Sequence, residues 1–331
     1  MLAAMEFFTL NSVQVSRIGL GTWGIGGSEW GEVSEADAIA ACLAIFDHGI
    51  NLIDTAPIYG HGRAEEIIGK AMRQHGHREK FFVATKAGLE WNEHGVFANS
   101  DPARLRREFE DSLQRLGTEY VDLYQIHWPD TTIPIERAAE VLLALYEKGR
   151  IRAIGVSNFS SAQMEAFRRV APLHSDQPPY NLFERAIDDE VLPYCLEHSI
   201  AVLTYSSLCR SLLAGRLTPE TKFPEDDIRR VDPKFQPPRF AQYLQAVGRL
   251  DAFAREHYGK RVLELAVRWV LDRPGVSAAL WGAKRPGQLD AVDGIFGWKL
   301  DEAAMAEIDA IVRESVTDPV GPEYLTPEVR A

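Results

Sequence analysis

Residues 120–157 read YVDLYQIHWPDTTIPIERAAEVLLALYEKGRIRAIGVS, and this stretch decides the fold. Tyr120–Ile126 is a short apolar run of the kind that suits a buried parallel strand. Pro134 then opens IERAAEVLLALYEKG, an amphipathic stretch that stops at a glycine, as helices commonly do. A second apolar run, Ile151–Val156, follows at once. Strand, helix and strand in this order make a unit whose strands run parallel, with the helix on a right-handed crossover.

The same alternation extends in both directions. Ile18–Leu20, Ile50–Ile53 and Phe81–Ala84 precede the quoted stretch, and His174–Gln177, Ala201–Thr204 and Ser277–Trp281 follow it. Helix signals lie between the runs, among them Ser34 before EADAIAACLAIFDHG and Asp101-Pro102 before ARLRREFEDSLQRLG. Eight such units predict a single (β/α)8 TIM barrel over residues 1–331, with an open doubly wound sheet as the alternative. Phe7–Val15, turning at Asn11-Ser12, reads as an N-terminal β-hairpin that caps one end. The segment Ser206–Arg239 after strand seven is a long loop rich in proline and charge. The C-terminal tail from Ser315, SVTDPVGPEYLTPEVRA, is irregular and expected to lie against the barrel or fray.

Hydrophobic residues at 46% and charged residues at 25% allow a large globular core. The net charge of −12 argues against a nucleic-acid partner. Cys42, Cys195 and Cys209 form no metal-ligand pairing or closed disulfide framework and are read as reduced thiols, and no metal is expected. The start, MLAAMEFFTL, lacks a basic segment, and no run approaches the roughly 20 apolar residues of a membrane span. A cytoplasmic protein with no membrane partner, acting as a monomer, is the expectation.

In a barrel of this type the site lies at the carboxyl ends of the strands. The residues there are polar: Thr22-Trp23, Asp54, Lys86, His127, Ser157-Asn158, Gln177, Tyr205-Ser206 and Gly282. Each alone reads as an ordinary loop or capping residue, but together they converge on one mouth. Tyr59, five residues beyond Asp54, reaches the same place. An ammonium from Lys86 is expected to stabilise its phenolate and lower its pKa by roughly one to three units. Asp54 would hold that lysine, and His127 would donate to a carbonyl oxygen. No serine or cysteine nucleophile with a paired base is evident, so the chemistry suits proton transfer from tyrosine with hydride from a cofactor. A barrel hydrolase has no such nucleophile or metal cluster to recommend it.

Four motifs in order, GINLIDTAPIYGHGRAEEIIGKAM, FFVATKAG, VDLYQIHWPD and IRAIGVSNFS, resemble the aldo-keto reductase superfamily over nearly the whole chain. The segments WGAKRPGQLDAV and TDPVGPEYLTP look closest to its bacterial branch of general stress protein 69 and glycerol or glyceraldehyde reductases. The resemblance implies reversible, NADPH-dependent reduction of small aldehydes and ketones, with glyceraldehyde-like or other polyol-derived carbonyls as candidates. It makes Asp54, Tyr59, Lys86 and His127 a catalytic tetrad with Tyr59 as proton donor, and places substrate at Trp23, Tyr59 and His127. For NADP(H) it implies Thr22, Trp23, Asp54, Ser157, Asn158 and Gln177 near the nicotinamide, and Tyr205 stacked on it. Ser206, Ser207, Leu208, Cys209 and Arg210 would line the pyrophosphate, and Gly282, Ala283, Lys284, Arg285 and Gln288 the adenosine phosphate. Val292 stands where many relatives have an adenine-contacting asparagine. An NADP(H)-binding regulatory subunit with little turnover is the alternative. The stretch GTWGIGG fits a dinucleotide fingerprint only nominally, since Trp23 interrupts it and a hairpin precedes it.

Overall fold

The computed structural model describes residues 5–27, 29–93 and 95–329. β1 (Phe7–Leu10) and β2 (Val13–Ser16) form the expected antiparallel hairpin. Its turn residues Asn11 and Ser12 have φ of 41° and 74°, the left-handed pair that a two-residue hairpin needs to match strand twist. The following strands are β3 (Ile18–Gly21), β4 (Leu52–Asp54), β5 (Phe82–Ala87), β6 (Leu89–Asn92), β7 (Gly95–Ala98) and β8 (Val121–Ile126). After them come β9 (Ile151–Ser157), β10 (Ser175–Gln177), β11 (Ala201–Thr204) and β12 (Val276–Gly282).

Eight of these strands close into a parallel barrel in the order β3, β4, β5, β8, β9, β10, β11, β12. Closure is made where β12 pairs β3, with Leu280 opposite Gly19 and Trp281 opposite Leu20. That pairing excludes the open doubly wound sheet. Around the barrel run α1 (Glu35–Ala44), α2 (Arg63–His75), α3 (Pro102–Leu116), α4 (Ile135–Glu147) and α5 (Ser161–Arg168). The ring continues with α6 (Val191–Glu197), α7 (Arg239–Tyr258), α8 (Val262–Asp272) and α9 (Glu302–Ser315). The anticipated caps are formed: Asp101 accepts from the amides of Ala103 and Arg104, and Gly117 ends α3 at φ 65°. Ser34 caps α1, which tightens after Ala44 into a 3-10 turn ending at Gly49.

Strand alternation divides the core in two. Leu52, Phe82, Ala84, Leu123, Ala153, Leu203, Ala278 and Leu280 point into the barrel, where Leu10 and Val15 of the hairpin plug one end. Ile53, Val83, Tyr124, Ile154 and Val202 face the helices. A Cβ at Gly19 would lie 2.5 Å from Leu52, so glycine is what lets β3 approach its neighbour.

Two regions differ from the sequence expectation. The connection after β5 contains the β6–β7 hairpin, which places Trp91 in a strand. The long segment after β11 is ordered by 3-10 turns at Ile228–Arg230 and Pro233–Phe235 and by a buried ion cluster. In that cluster Arg210 pairs with Glu184 and, at 2.7 Å, with Asp232, while Lys234 pairs with Glu184 at 2.8 Å. The same cluster anchors the tail, since Tyr324 donates to Asp232 at 3.1 Å and Lys234 donates to the Gly321 carbonyl at 2.9 Å. The tail is then pinned to the second hairpin, with the Glu328 amide donating to the Val96 carbonyl at 3.1 Å. It therefore crosses the barrel mouth instead of fraying. Among the described residues no helix is long and apolar enough to cross a membrane.

Candidate active site

The strand ends bring Asp54 of β4, Lys86 of β5 and His127, just past β8, to one point inside the mouth. Tyr59 joins them from a turn whose backbone is held by Tyr59 N donating to the Ala56 carbonyl at 3.1 Å. Lys86 Nζ donates to Asp54 Oδ1 at 2.6 Å, to the Thr55 carbonyl at 3.0 Å and to Tyr59 Oη at 3.3 Å. All three donor positions of the ammonium are therefore used. Asp54 Oδ2 accepts from Gln177 Nε2 at 2.8 Å, which fixes the carboxylate from the far side of the barrel. The rings of Tyr59 and His127 meet edge to face at 5.9 Å, and Trp23 stacks on Tyr59 at 6.2 Å.

Burial dominates the electrostatics. Lys86 is fully enclosed and Asp54 nearly so. Desolvation lowers the Lys86 pKa, an effect opposed by Asp54. Desolvation likewise lowers His127 well below its ordinary value, with the Lys86 charge adding to it, so the imidazole is neutral at neutral pH. The Tyr59 phenol moves opposite to the sequence expectation: burial, then Asp54 and Glu29, push it well above its ordinary value. Asp54 sits 2.6 Å from the ammonium, so the pair is close to neutral as seen from the phenol, and desolvation decides the sign. The result is a phenol held in its proton-donating form.

Two cavities meet at this point, sharing Trp23, Tyr59 and Tyr205 in their walls. The first, of about 270 Å³, also holds His127, Trp128, Ser157, Asn158 and Gln177 and is roofed by tail residues Tyr324–Glu328. The second, of about 370 Å³, runs from Asp54 and Thr22 past Ser206, Ser207, Leu208 and Arg210 to Gly282, Ala283, Lys284 and Gln288. Tyr205 Oη donates to Asn158 Oδ1 at 2.9 Å, and Asn158 Nδ2 donates to the His127 carbonyl at 3.0 Å. These bonds hold Asn158 at its left-handed φ of 62°. Thr22 Oγ1 donates to the Asp54 carbonyl at 2.8 Å, tying the first strand end to the tetrad.

Some expected residues sit elsewhere. The Cys209 thiol is buried away from both cavities and pushed up to about 12 by desolvation, so it is a core side chain. Arg285 lies outside the lining, mostly exposed, with Nε 3.4 Å from Asp37. Trp281 of β12 is buried and donates to the Gln288 carbonyl, which packs the loop beside the site. Val292 is buried as well. Conversely, Trp30, Ser211 and Arg229 line the larger cavity unannounced by any motif, as do Glu29, Ile228 and the tail in the smaller one. The tail's run of Tyr, Leu and Pro was the available signal, since apolar residues in an aperiodic terminus need a surface to cover.

The larger cavity fits an extended, anionic ligand. Ser206, Cys209, Arg210 and Ser211 all have positive φ, so the chain bends tightly around one side of it. Lys284 and Arg229 also line it, and Lys284 is lowered by burial and by the like charges of Arg285 and Arg229. A phosphate there would relieve that crowding.

A parallel barrel with a buried Asp–Lys–Tyr arrangement beside a cavity lined by Arg210, Arg229 and Lys284 defines a class of carbonyl oxidoreductase. The chain belongs to the aldo/keto reductase family, whose model matches residues 17–313. It is similar to aldo-keto reductase YhdN of Bacillus subtilis, at 52% identity over 98% of this chain and 99% of that protein. The structure of the glycerol dehydrogenase AKR11B4 from Gluconobacter oxydans matches with a TM-score of 0.87 and 47% identity, covering 96% of this chain and 98% of that one. An aldo/keto reductase from Klebsiella pneumoniae in complex with NADP and acetate matches with a TM-score of 0.71 and 29% identity over 94% and 96% of the two chains. An NADH-specific methylglyoxal reductase of Escherichia coli is 33% identical over 84% of this chain and 88% of its own length. Carbonyl reduction with a nicotinamide cofactor is thus the general reaction.

Proposed function

We propose that the protein reduces small aldehydes and ketones to alcohols reversibly with NADPH, glyceraldehyde and other polyol-derived carbonyls being candidate substrates. The observation that carries this reading is Tyr59 Oη, 3.3 Å from Lys86 Nζ, at the seam of the two cavities. A nicotinamide cofactor held in the larger cavity would supply hydride to the carbonyl carbon. Tyr59 donates its proton to the carbonyl oxygen as negative charge develops there. Lys86, donating to the same phenol oxygen, stabilises the phenolate that remains, and Asp54 keeps the lysine aimed and its charge balanced. His127, neutral, offers a ring N–H to the substrate oxygen and adds no charge to the site. In the direction of alcohol oxidation the phenolate takes the proton back.

NADPH rather than NADH is proposed from Lys284 in the wall of the larger cavity, with the Asp227-paired Arg229 also lining it, as the cation a 2′-phosphate would meet. Ser157, Asn158, Gln177 and Tyr205 hold the nicotinamide end in this reading. The test is Tyr59→Phe assayed by NADPH oxidation with glyceraldehyde. Turnover is expected to fall by about 10²–10⁴-fold while cofactor affinity is kept. Near-full turnover in the variant refutes the proton-donor assignment. Tight NADPH binding by the parent without turnover on any carbonyl points instead to a regulatory subunit.

A further inference from the structure

The smaller cavity carries charge of one sign. Glu29 and Glu328 are in its wall, and among the described residues no lysine or arginine lines it. At the reacting end the Lys86 ammonium is matched by Asp54 at 2.6 Å, and burial keeps His127 neutral. The two outer carboxylates are therefore not offset by the tetrad. Each is carried on backbone fixed across the mouth. The Glu29 carbonyl accepts from the Ile228 amide at 3.0 Å, and the Glu328 amide donates to the Val96 carbonyl at 3.1 Å. Glu29 Oε2 also accepts from Trp23 Nε1 at 2.7 Å, which orients the carboxylate and the indole together. Its field reaches the tetrad, since Glu29 is among the causes that raise Tyr59. Arg229, the cation nearest in sequence to Ile228 in this wall, lines the other cavity and is paired with Asp227 at 2.6 Å.

The aromatic side chains of Trp23, Trp128 and Tyr324 line the same cavity as the two carboxylates. Aromatic faces attract a cation through their quadrupole, and carboxylates add direct attraction. The same surface repels an anion. We propose that this cavity selects carbonyl substrates bearing an ammonium group at the end remote from the carbonyl over neutral ones, and turns carboxylated ones away, with Glu29 and Glu328 as the specificity-determining residues. The proposal rests on the reading of the cavity as the carbonyl-reducing site, and it concerns only the outer end. A carboxylate seated at Tyr59 and His127 in place of a carbonyl is a different event. Because Glu328 is exposed, its charge is screened by salt, and the two carboxylates together are expected to contribute about tenfold between cation and anion.

The experiment compares para-trimethylammonio-, para-tert-butyl- and para-carboxybenzaldehyde in the parent and in Glu29→Gln/Glu328→Gln. Each aldehyde's intrinsic reactivity cancels between the two proteins. The cation-to-anion ratio of kcat/KM is expected to fall about tenfold in the double variant, with the tert-butyl compound reporting any general change in the pocket. A second arm measures the Kd of benzyltrimethylammonium by tryptophan fluorescence, expected to weaken severalfold in the variant. An unchanged ratio, or equal losses on all three aldehydes with an unchanged ammonium Kd, overturns the proposal. Should no aldehyde be reduced by the parent, the reductase reading falls, and the ammonium Kd alone still decides the charge selection.

Discussion

Replacing Asp54 with asparagine keeps the volume of the side chain and removes the counterion of a fully buried ammonium. Lys86 Nζ loses a charged partner at 2.6 Å, and Gln177 Nε2 loses the carboxylate oxygen it meets at 2.8 Å. If Lys86 stays charged, an uncompensated buried charge costs about 3–5 kcal/mol. If it releases its proton, the cost is set by the distance of the pH from the ordinary lysine pKa of 10.5, at about 1.4 kcal/mol per unit. That is about 5 kcal/mol at pH 7 and about 2 kcal/mol at pH 9. Burial already depresses the folded lysine against the opposing charge of Asp54, and losing that carboxylate depresses it further, so in the variant the unfolded chain binds the extra proton and folding regains stability as pH rises toward 10.5. Urea unfolding of Asp54→Asn followed by tryptophan fluorescence should show a midpoint about 1 M or more below the parent at pH 7. The gap should narrow at pH 9. An unchanged midpoint at pH 7, or a gap that is equal at both pH values, refutes the description of the pair as a buried, mutually dependent unit.

Two further outcomes follow from the same geometry. Lys284→Met should weaken NADPH binding about 10-fold or more and leave NADH nearly untouched, measured as paired Kd values by fluorescence titration; equal losses would remove the basis for NADP preference. His127 is held neutral by burial, so the unfolded chain takes up its proton first as pH falls below about 6.5, and the stability contributed by the neutral ring is lost in that direction. His127→Gln should flatten the acid side of the stability profile below about pH 6.5, and a profile parallel to the parent's would contradict it.

Much of the barrel was legible because its signals are local. Ile53 and Val83 sit in apolar runs bounded by turns, and Asp101-Pro102 and Gly117 mark the ends of α3 by their own backbone preferences. The four residues were legible because Asp54, Lys86 and His127 lie at or just past strand ends and Tyr59 in the loop after one, and strand ends of a parallel barrel converge on one face. The β6–β7 hairpin was not, since LEWN and GVFA alternate weakly and owe part of their order to a tail residue, Glu328, bridged to Phe97. The inward turn of the Cys209 side chain was not legible, because a five-residue loop segment says nothing about which side chains turn inward. The positive φ of Cys209, Arg210 and Ser211 rotates the thiol into the core and leaves Arg210 at the cavity wall.

The amino-acid sequence by itself determined the strand and helix order and the identity of the residues at each strand end, because these depend on hydrophobic period, caps and turns within a few residues. Only the tertiary structure decided that β12 closes on β3 and that the tail roofs the smaller cavity. It also decided that Tyr59 is pushed up and not down. Those outcomes depend on distances between residues far apart in the chain, and on how completely water is excluded around them. The charge that Lys86 presents to Tyr59 is the clearest case, since its effect turns on a carboxylate 2.6 Å away that the sequence places 32 residues earlier.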